Sequence, residues 1–207
     1  MRVLIADDHA IVRKGLIELL KEEFPLLNVT EASNGVQALA EINKKIWDII
    51  LLDISMPGQN GIEVLKQMRA MGIKAPILML SMHPEETFAI RALKAGASGF
   101  LNKDRTPEEL TSAIQLVLAG RKYVTPKIAE QLADLMDPSM QPLYNRLSDR
   151  EIQVLQLIAS GMQVSDIAEE ISLSVNTIST YRTRILEKLA LKNNAEITRY
   201  AFDNNLV

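Results

Sequence analysis

Three acids, a hydroxyl and an amine stand close behind short apolar runs of the chain: Asp7, Asp8, Asp53, Ser81 and Lys103. Each run predicts a buried strand, and the runs lie at residues 3–6, 49–52, 77–80 and 99–101. Because ligands gather outside the carboxyl ends of the strands in an open parallel sheet, we expect these groups to meet at one site. Carboxylates suit a hard divalent cation, whereas the hydroxyl and the amine suit phosphoryl oxygens. The pattern predicts a carboxylate that accepts a phosphoryl group.

Each of these five groups has a separate role in such a phosphoryl transfer. A carboxylate attacks a phosphate slowly unless a divalent cation withdraws charge from the phosphoryl oxygens and aligns donor and acceptor. We expect Asp8 and Asp53 to bind Mg²⁺ directly and Asp7 to bind it through water, since Mg²⁺ keeps several of its waters. Lys103 would neutralise one phosphoryl oxygen, and the Ser81 hydroxyl would donate a hydrogen bond to another. The alternative is that acids at strand ends simply face solvent.

The elements that must position these groups alternate between strand and helix. A weaker strand is predicted at 29–32, and helical patterns lie at residues 11–22, 35–45, 60–71, 84–95 and 107–119. Alternating β and α elements indicate an α/β fold, a doubly wound parallel sheet with helices on both faces.

The pattern changes after Gly120, which predicts a second domain. We assign residues 1–120 to the first domain, 121–146 to a linker with one helix near 127–136, and 147–207 to an all-α domain. Two prolines at 138 and 142 support the linker. Four short helices are predicted in the last domain, at residues 148–160, 164–171, 175–190 and 194–204.

The composition is that of a globular protein. The 207 residues are 47% hydrophobic and 24% charged, and cysteine is absent, which excludes disulfides and thiolate metal sites. No apolar stretch approaches the ~20 residues that span a bilayer, and the N-terminus does not resemble a signal peptide. We therefore expect a cytoplasmic protein without a membrane partner.

The charge is distributed unevenly along the chain. The net charge is −3, but five basic and two acidic side chains lie between Thr177 and Arg199. Such local clustering is typical of contact with a phosphate backbone. Two short helices joined by a tight turn, the second of them basic, predict a helix-turn-helix that binds double-stranded DNA. The predicted DNA-contacting residues are Thr177, Ser179, Thr180, Arg182, Thr183, Arg184, Lys188 and Lys192. The same pattern would also suit a helix with a solvated polar face.

The first 120 residues resemble the receiver domain of bacterial response regulators. The similarity is carried by Asp7-Asp8, Asp53, Met56-Pro57-Gly58 with Gly61, Ser81-Met82, Ala95-Gly96-Ala97 and Phe100-Leu101-Asn102-Lys103. It implies a CheY-like fold with strand order 2-1-3-4-5 and phosphorylation of Asp53 by a histidine kinase. It further implies that Ser81 and Phe100 form a conformational switch and that Ser55 joins the metal site. Ser55 and His83 would flank the path of the attacking water. The sequence departs from many receivers at Asp104, where they have proline.

Residues 147–207 resemble the LuxR-type DNA-binding domain. The similarity is carried by Leu147-Ser148-x-Arg150-Glu151, Ile158-Ala159-x-Gly161, Ile167-Ala168, Leu173-Ser174-x-x-Thr177-Ile178 and Lys188-Leu189. The whole chain looks like a NarL/FixJ-family response regulator. Many relatives carry lysine and histidine where this chain has Ser179 and Tyr181, so their base preference is not carried over to this chain. The resemblance implies a homodimer on DNA, formed through the first and fifth helices or through the fourth helix with Phe100, and through the last helix.

Two other functions fit parts of the sequence. An aspartyl-phosphate site is also found in metal-dependent phosphotransferases and phosphatases that act on small molecules. That class usually needs a cap insertion, and the first 120 residues contain none long enough. The C-terminal helices could instead bind a protein partner. A regulator that is not an enzyme, although it may remove its own phosphoryl group, accounts for both halves of the chain.

Overall fold

The computed structural model of the protein describes residues 1–82, 85–134, 142–204 and 206–207, without the side chains of Glu86 and Asp134. The chain forms two compact units, Met1–Ala129 and Glu130–Val207. Among the described residues, no helix combines the length and the hydrophobicity that crossing a membrane requires.

The first unit is built on a five-stranded parallel sheet. Its strands are β1 (Arg2–Ala6), β2 (Asn28–Ala32), β3 (Ile49–Asp53), β4 (Ile77–Ser81) and β5 (Gly99–Asn102). The order is β2-β1-β3-β4-β5, which confirms the expected doubly wound topology. Every residue of β3 and β4 is buried, because helices cover both faces of the sheet.

Five helices surround this sheet. They are α1 (Ala10–Glu23), α2 (Gly35–Ile42), α3 (Gly61–Ala70), α4 (Glu85–Lys94) and α5 (Pro107–Leu118). Side chains at the first turn begin several of them: Asn34, Asn60 and Thr106 each accept a hydrogen bond from a backbone N–H of their helix. Pro107 occupies the first turn of α5, where its missing N–H costs nothing.

The strand register explains why the chemically active residues meet. Ala6 lies opposite Leu52, so Asp7 and Asp53 leave their strands at the same level. Ser81 lies opposite Asn102 at the ends of β4 and β5. The N–H of Lys103 donates to the Ser81 carbonyl oxygen at 2.8 Å, which continues the ladder by one residue.

A helix, α6 (Pro126–Asp134), lies in the predicted linker, whose residues 135–141 are outside the described residues. The start of that linker packs on the first unit, which the sequence did not indicate. The Tyr123 N–H donates to Ser98 O at 3.0 Å and forms a parallel bridge beside β5. A side chain at Gly99 would collide with Tyr123 Cβ at 2.8 Å, so glycine is needed at this crossing.

The described part of the second unit contains four further helices after a short 3-10 helix at Leu143–Arg146. They are α7 (Asp149–Ala159), α8 (Val164–Glu170), α9 (Val175–Leu189) and α10 (Asn194–Asp203), close to the predicted bounds. Ser148 and Glu151 form the predicted capping box at the start of α7. Buried residues of α9, namely Ile178, Ile185 and Leu189, form its inner face.

Candidate functional site

Three carboxylates converge at the carboxyl edge of the sheet. Asp7 and Asp53 are buried and Asp8 is partly exposed. Their oxygens and the imidazole of His9 include one potential ligand atom each, and these four atoms lie within 4.8 Å of one another. The predicted convergence of the acids is therefore present, with a histidine added to it.

Lys103 lies between two of these acids. Its Nζ is 2.6 Å from Asp7 Oδ2 and 2.9 Å from Asp53 Oδ1, and its side chain is almost fully buried. Burial alone lowers the pKa of Lys103, but the carboxylates of Asp53 and Asp7 outweigh that effect and raise the pKa above its usual value. Lys103 is thus a fixed positive charge at the carboxylate to which the sequence assigns phosphorylation.

The pKa of Asp53 is strongly raised. Burial raises the pKa of its carboxyl group from 3.8 to about 6, although Lys103 acts in the opposite direction, while the nearby Asp7 and Asp8 add to the rise. Its Oδ2 accepts no hydrogen bond from any described residue. A buried carboxylate oxygen without a partner is rare and indicates a ligand of positive charge or a reaction at that atom.

The donor set fits a divalent cation. Carboxylate oxygens of Asp7, Asp8 and Asp53 are hard ligands, and the exposed side of Asp8 leaves room for water. The unpartnered oxygen of Asp53 would gain a counter-charge from such an ion. Ser55 is half-buried two residues beyond Asp53, and its predicted part in the metal site stays a prediction.

The two predicted switch residues lie on neighbouring strands. Ser81 is fully buried at the end of β4. Phe100 lies opposite Met79 on β5, and its side chain is only 3% exposed, so the ring is turned inward. His83, the second residue predicted to flank the water path, is outside the described residues.

Gly61 holds the backbone of Asp53 in place. A Cβ atom at this position would stand 1.9 Å from the Asp53 carbonyl oxygen, and the Gly61 N–H donates to Ile54 O at 2.8 Å. Asn60 accepts from the Ile62 N–H and so begins α3 directly behind the acid. The loop therefore fixes where the carboxylate of Asp53 points.

The turn after Lys103 is stabilised by a side-chain hydrogen bond and contains no proline. Asp104 donates its N–H to Asn102 Oδ1 at 2.8 Å, and the described residues contain no cis peptide bond. A side-chain acceptor thus shapes the turn between β5 and α5, where many receivers have proline.

The second unit presents one polar, basic helix. Ser174 begins α9 by accepting from the Thr177 N–H at 3.1 Å, and the turn before it is closed by Ser172 in a left-handed conformation (φ 53°). Exposed positions of α9 include Ser179, Thr180 and Arg184. Their side chains lie opposite the apolar face, as a helix laid in a DNA groove requires.

Family comparisons match both units. Residues 3–115 match the response regulator receiver domain, and residues 145–201 match the bacterial regulatory proteins of the LuxR family. The chain belongs to the NarL/FixJ-family response regulators. Its receiver domain carries the Asp53 site, and its LuxR-type domain carries α9.

Similar regulators align along the full chain. "Response regulator UvrY" of Escherichia coli K12 is 33% identical over 208 residues, covering 100% of this chain and 95% of UvrY. "Response regulator GacA" of Pseudomonas protegens is 34% identical over 208 residues, covering 100% of this chain and 98% of GacA. The whole chain, rather than one domain alone, resembles these regulators.

A similar solved structure contains DNA. RcsB from Salmonella enterica serovar Typhimurium, bound to promoter rprA with the phosphomimetic BeF₃⁻, is 27% identical and has a TM-score of 0.66. The match covers 97% of each chain.

Several of the regulator's predicted DNA contacts also make contacts within the domain. Arg182 Nε donates to Asn194 Oδ1, and the hydroxyls of Thr180 and Thr183 donate to carbonyl oxygens one turn earlier. Lys188 Nζ lies 2.6 Å from Glu151 Oε2, the carboxylate of the capping box. Lys188 therefore has an acidic partner within the domain, and its predicted phosphate contact stays a prediction.

His9 is the residue at the regulator's acidic site that the sequence reasoning missed. Its Nδ1 lies 3.0 Å from Asp8 Oδ1, and its backbone N–H donates to Asp7 Oδ1 at 2.9 Å. The signal was its position directly after the acid pair, where the chain turns from β1 into α1.

Proposed function

We propose that a histidine kinase phosphorylates this response regulator on Asp53, and that phosphorylation controls dimerisation and binding to double-stranded DNA. Residues 1–120 act as the receiver, 121–146 as the linker and 147–207 as the DNA-binding domain. The observation that carries this proposal is the buried Asp53 carboxylate, which has one unpartnered oxygen and lies beside Lys103. Because its proposed target is chromosomal DNA, we place the regulator in the cytoplasm.

The chemistry of transfer follows from the contacts at the site. An oxygen of Asp53 attacks the phosphorus of the kinase phosphohistidine, the P–N bond breaks, and the histidine nitrogen keeps the electron pair. Asp7, Asp8, Asp53 and Ser55 would hold Mg²⁺, which would withdraw charge from the phosphoryl oxygens. Lys103 exchanges one carboxylate contact for a phosphoryl oxygen, and the Ser81 hydroxyl donates to another.

Removal of the phosphoryl group ends the signal. Water attacks the phosphorus of the acyl phosphate, the P–O bond to Asp53 breaks, and inorganic phosphate leaves with the Asp53 carboxylate regenerated. Turnover is limited to the protein's own phosphoryl group, so the chain is not an enzyme for small molecules. The direct connections support this: only seven residues separate Asp53 from the start of α3 at Gly61, too few for a substrate-binding cap.

The inward ring of Phe100 supports a switch that reads phosphorylation through Ser81. When the Ser81 hydroxyl moves toward the phosphoryl group, the space that it leaves behind β4 holds the already buried Phe100 ring in its inward position. At the start of α4, close in sequence to Ser81, the side chain of Glu85 contacts two later segments of the chain. Thr125 Oγ1 donates to Glu85 Oε1 at 3.2 Å, and Arg105 lies 3.6 Å from the same oxygen.

We assign the dimer contact of the receiver to α1 and α5. An apolar cavity of about 170 Å³ lies between these helices and is lined by Val12, Leu16 and Leu110, among others. Ile11 is an exposed apolar residue on α1. The other candidate surface, around α4 and Phe100, is occupied in part by the chain's own Thr125. A second copy of α1 and α5 would cover the apolar residues.

The dimer contact has a direct test with a matched control. Sedimentation of the full chain with beryllofluoride and Mg²⁺ should show a dimer that Ile11→Glu abolishes. Val36→Glu introduces the same charge at an exposed apolar position of α2 and should leave the dimer intact. Equal dimerisation of the two variants would reject α1 as the contact.

DNA binding is assigned to the outer face of α9. On α9, Thr177, Ser179 and Thr183 offer hydroxyl oxygens for base edges or phosphates, and Arg182 and Arg184 supply charge for the DNA backbone. Lys192, in the turn between α9 and α10, adds a further charge. A single domain with so few cations binds weakly, and joining two in a dimer multiplies the affinity through effective concentration. This is why phosphorylation, dimerisation and DNA binding are linked.

Two experiments test the proposed function. Acetyl phosphate with Mg²⁺ should label the wild-type chain to one equivalent, at Asp53 by peptide mapping, without multiple turnover. Genome-wide DNA selection with wild type beside Asp53→Ala should return specific duplexes for the phosphorylated wild type and far fewer for the variant. Multiple turnover would favour a phosphatase, and the absence of DNA binding at low salt would favour a protein-interaction module.

A further inference from the structure

His9 stands at the start of α1, but its side chain does not cap the helix. It is the residue before α1, where a Ser, Thr, Asp or Asn side chain usually accepts a backbone hydrogen bond. The imidazole makes no such bond, and its side chain is 63% exposed. The ring is thus not used to begin the helix.

The imidazole instead faces the acids. Nδ1 of His9 lies 3.0 Å from Asp8 Oδ1 and 3.4 Å from Asp7 Oδ1. Neighbouring ligands of an octahedral ion with bonds of ~2.1 Å are about 3.0 Å apart, and opposite ligands are about 4.2 Å apart. The four ligand atoms of the cluster lie within 4.8 Å of one another, so small side-chain movements bring all of them to bonding distance.

A second observation points to a cation ligand at this cluster. Asp53 is only 1% exposed, yet its Oδ2 accepts no hydrogen bond from a described residue. Lys103 neutralises Oδ1 and one oxygen of Asp7, which leaves three carboxylates with a single fixed ammonium among them. The residual negative charge beside His9 favours a divalent ion.

We propose that His9 is a nitrogen ligand of this cation site and makes it bind divalent transition metals such as Mn²⁺ and Co²⁺ more tightly than Mg²⁺. Mg²⁺ prefers oxygen ligands, whereas imidazole is a common ligand of first-row transition metals. A site made of carboxylates alone lacks this difference in ligand type. The inference rests on the proposed function, because it requires that Asp7, Asp8 and Asp53 hold a cation at all.

Mn²⁺ provides a direct probe of the nitrogen. Electron spin-echo spectroscopy of the full chain with Mn²⁺ should show coupling to one histidine nitrogen, and titrations should give a lower Kd for Mn²⁺ than for Mg²⁺. His9→Phe keeps a planar ring and removes the ligand. It should abolish the nitrogen coupling and weaken Mn²⁺ binding about tenfold or more, while Mg²⁺ binding changes far less.

Control variants separate the possible failures. The chain has two histidines, so His83→Ala assigns the signal, and coupling that survives His9→Phe but not His83→Ala overturns the proposal. Asp8→Asn should weaken both ions. If Asp8→Asn does so and His9→Phe changes neither Kd nor the spectrum, His9 is not a ligand although the cation site stands. If Asp8→Asn also changes nothing, the proposed cation site itself is wrong.

Discussion

The ammonium of Lys103 lies 2.9 Å from Asp53 Oδ1, and both side chains are almost completely shielded from water. This attraction lowers the pKa of Asp53 but does not offset the burial that raises it to about 6. The ionised carboxylate therefore destabilises the folded protein near neutral pH. Such a site keeps a nucleophile in place at the cost of stability, which is common where function requires strain.

Asp53→Asn should stabilise the protein near neutral pH. The folded-state pKa lies above the unfolded value of 3.8, so the wild type loses stability as the pH rises from about 4 through 6, whereas a neutral amide does not. The gain in the free energy of unfolding at pH 8 should reach about 2–3 kcal/mol. Urea unfolding of both proteins from pH 4 to 8 measures it, and a gain that stays constant over this range would contradict the assigned pKa.

Removal of Lys103 should have the opposite effect. Lys103→Met leaves Asp7 and Asp53 buried without their shared cation, which should cost about 3 kcal/mol or more at pH 8. The cost should shrink toward pH 5, because protonation of a carboxyl group then removes the repulsion. The double variant Lys103→Met/Asp53→Asn should recover part of the loss in urea unfolding. No recovery would mean that Lys103 acts through packing alone.

Gly61→Ala should disable phosphorylation although it adds one methyl group. The new Cβ would meet the Asp53 carbonyl oxygen at 1.9 Å, so the acid must shift. Labelling by acetyl phosphate should fall at least tenfold. Gly15→Ala is the matched control for folding, because no atom lies within 4 Å of its Cβ and alanine favours a helix by up to about 1 kcal/mol. Normal labelling of Gly61→Ala would show that the loop tolerates the displacement.

The arrangement of the site was predictable because it follows from strand ends. Each apolar run ends where a parallel sheet ends, which brings Asp7, Asp53 and Lys103 to one edge. The partners of Lys103 were not predictable in detail, since its place between two acids depends on packing across three strands. The bridge between Gly99 and Tyr123 carries no periodic signal, so the sequence pattern assigns residues 121–125 to the linker.

In the helix-turn-helix, too, long-range side-chain partners could not be predicted from the sequence. Helical periodicity gives the outer face of α9, but it does not show which cations on that face have partners elsewhere. Lys188 reaches Glu151 across 37 positions of the chain, a contact that depends on how α7 packs on α9. A contact of that kind cannot be derived from local spacing.

Lys188 and Arg184 should therefore respond differently to removal. Burial raises the pKa of Glu151, but the Lys188 ammonium and the Ser148 N–H outweigh it and hold the pKa below its usual value. Lys188→Met should cost about 1–3 kcal/mol in thermal unfolding, because Glu151 is only 2% exposed. Arg184→Ala, at an exposed position, should leave the Tm unchanged. It should lower the slope of the logarithm of the DNA-binding constant against the logarithm of the salt concentration by about one.

The opposite result would support the DNA contact that the position of Lys188 on α9 predicts. In that case Lys188→Met would leave the Tm unchanged and reduce the salt dependence of binding by about one ion, as a phosphate contact does.

The central claim is that the state of Asp53 sets the affinity of α9 for DNA. The most direct measurement is fluorescence anisotropy of a selected duplex with the full chain, with and without beryllofluoride and Mg²⁺, beside Asp53→Ala. We expect beryllofluoride to lower the Kd of the wild type at least tenfold and to leave the Kd of Asp53→Ala unchanged. Equal Kd values for the wild type with and without beryllofluoride would contradict the account.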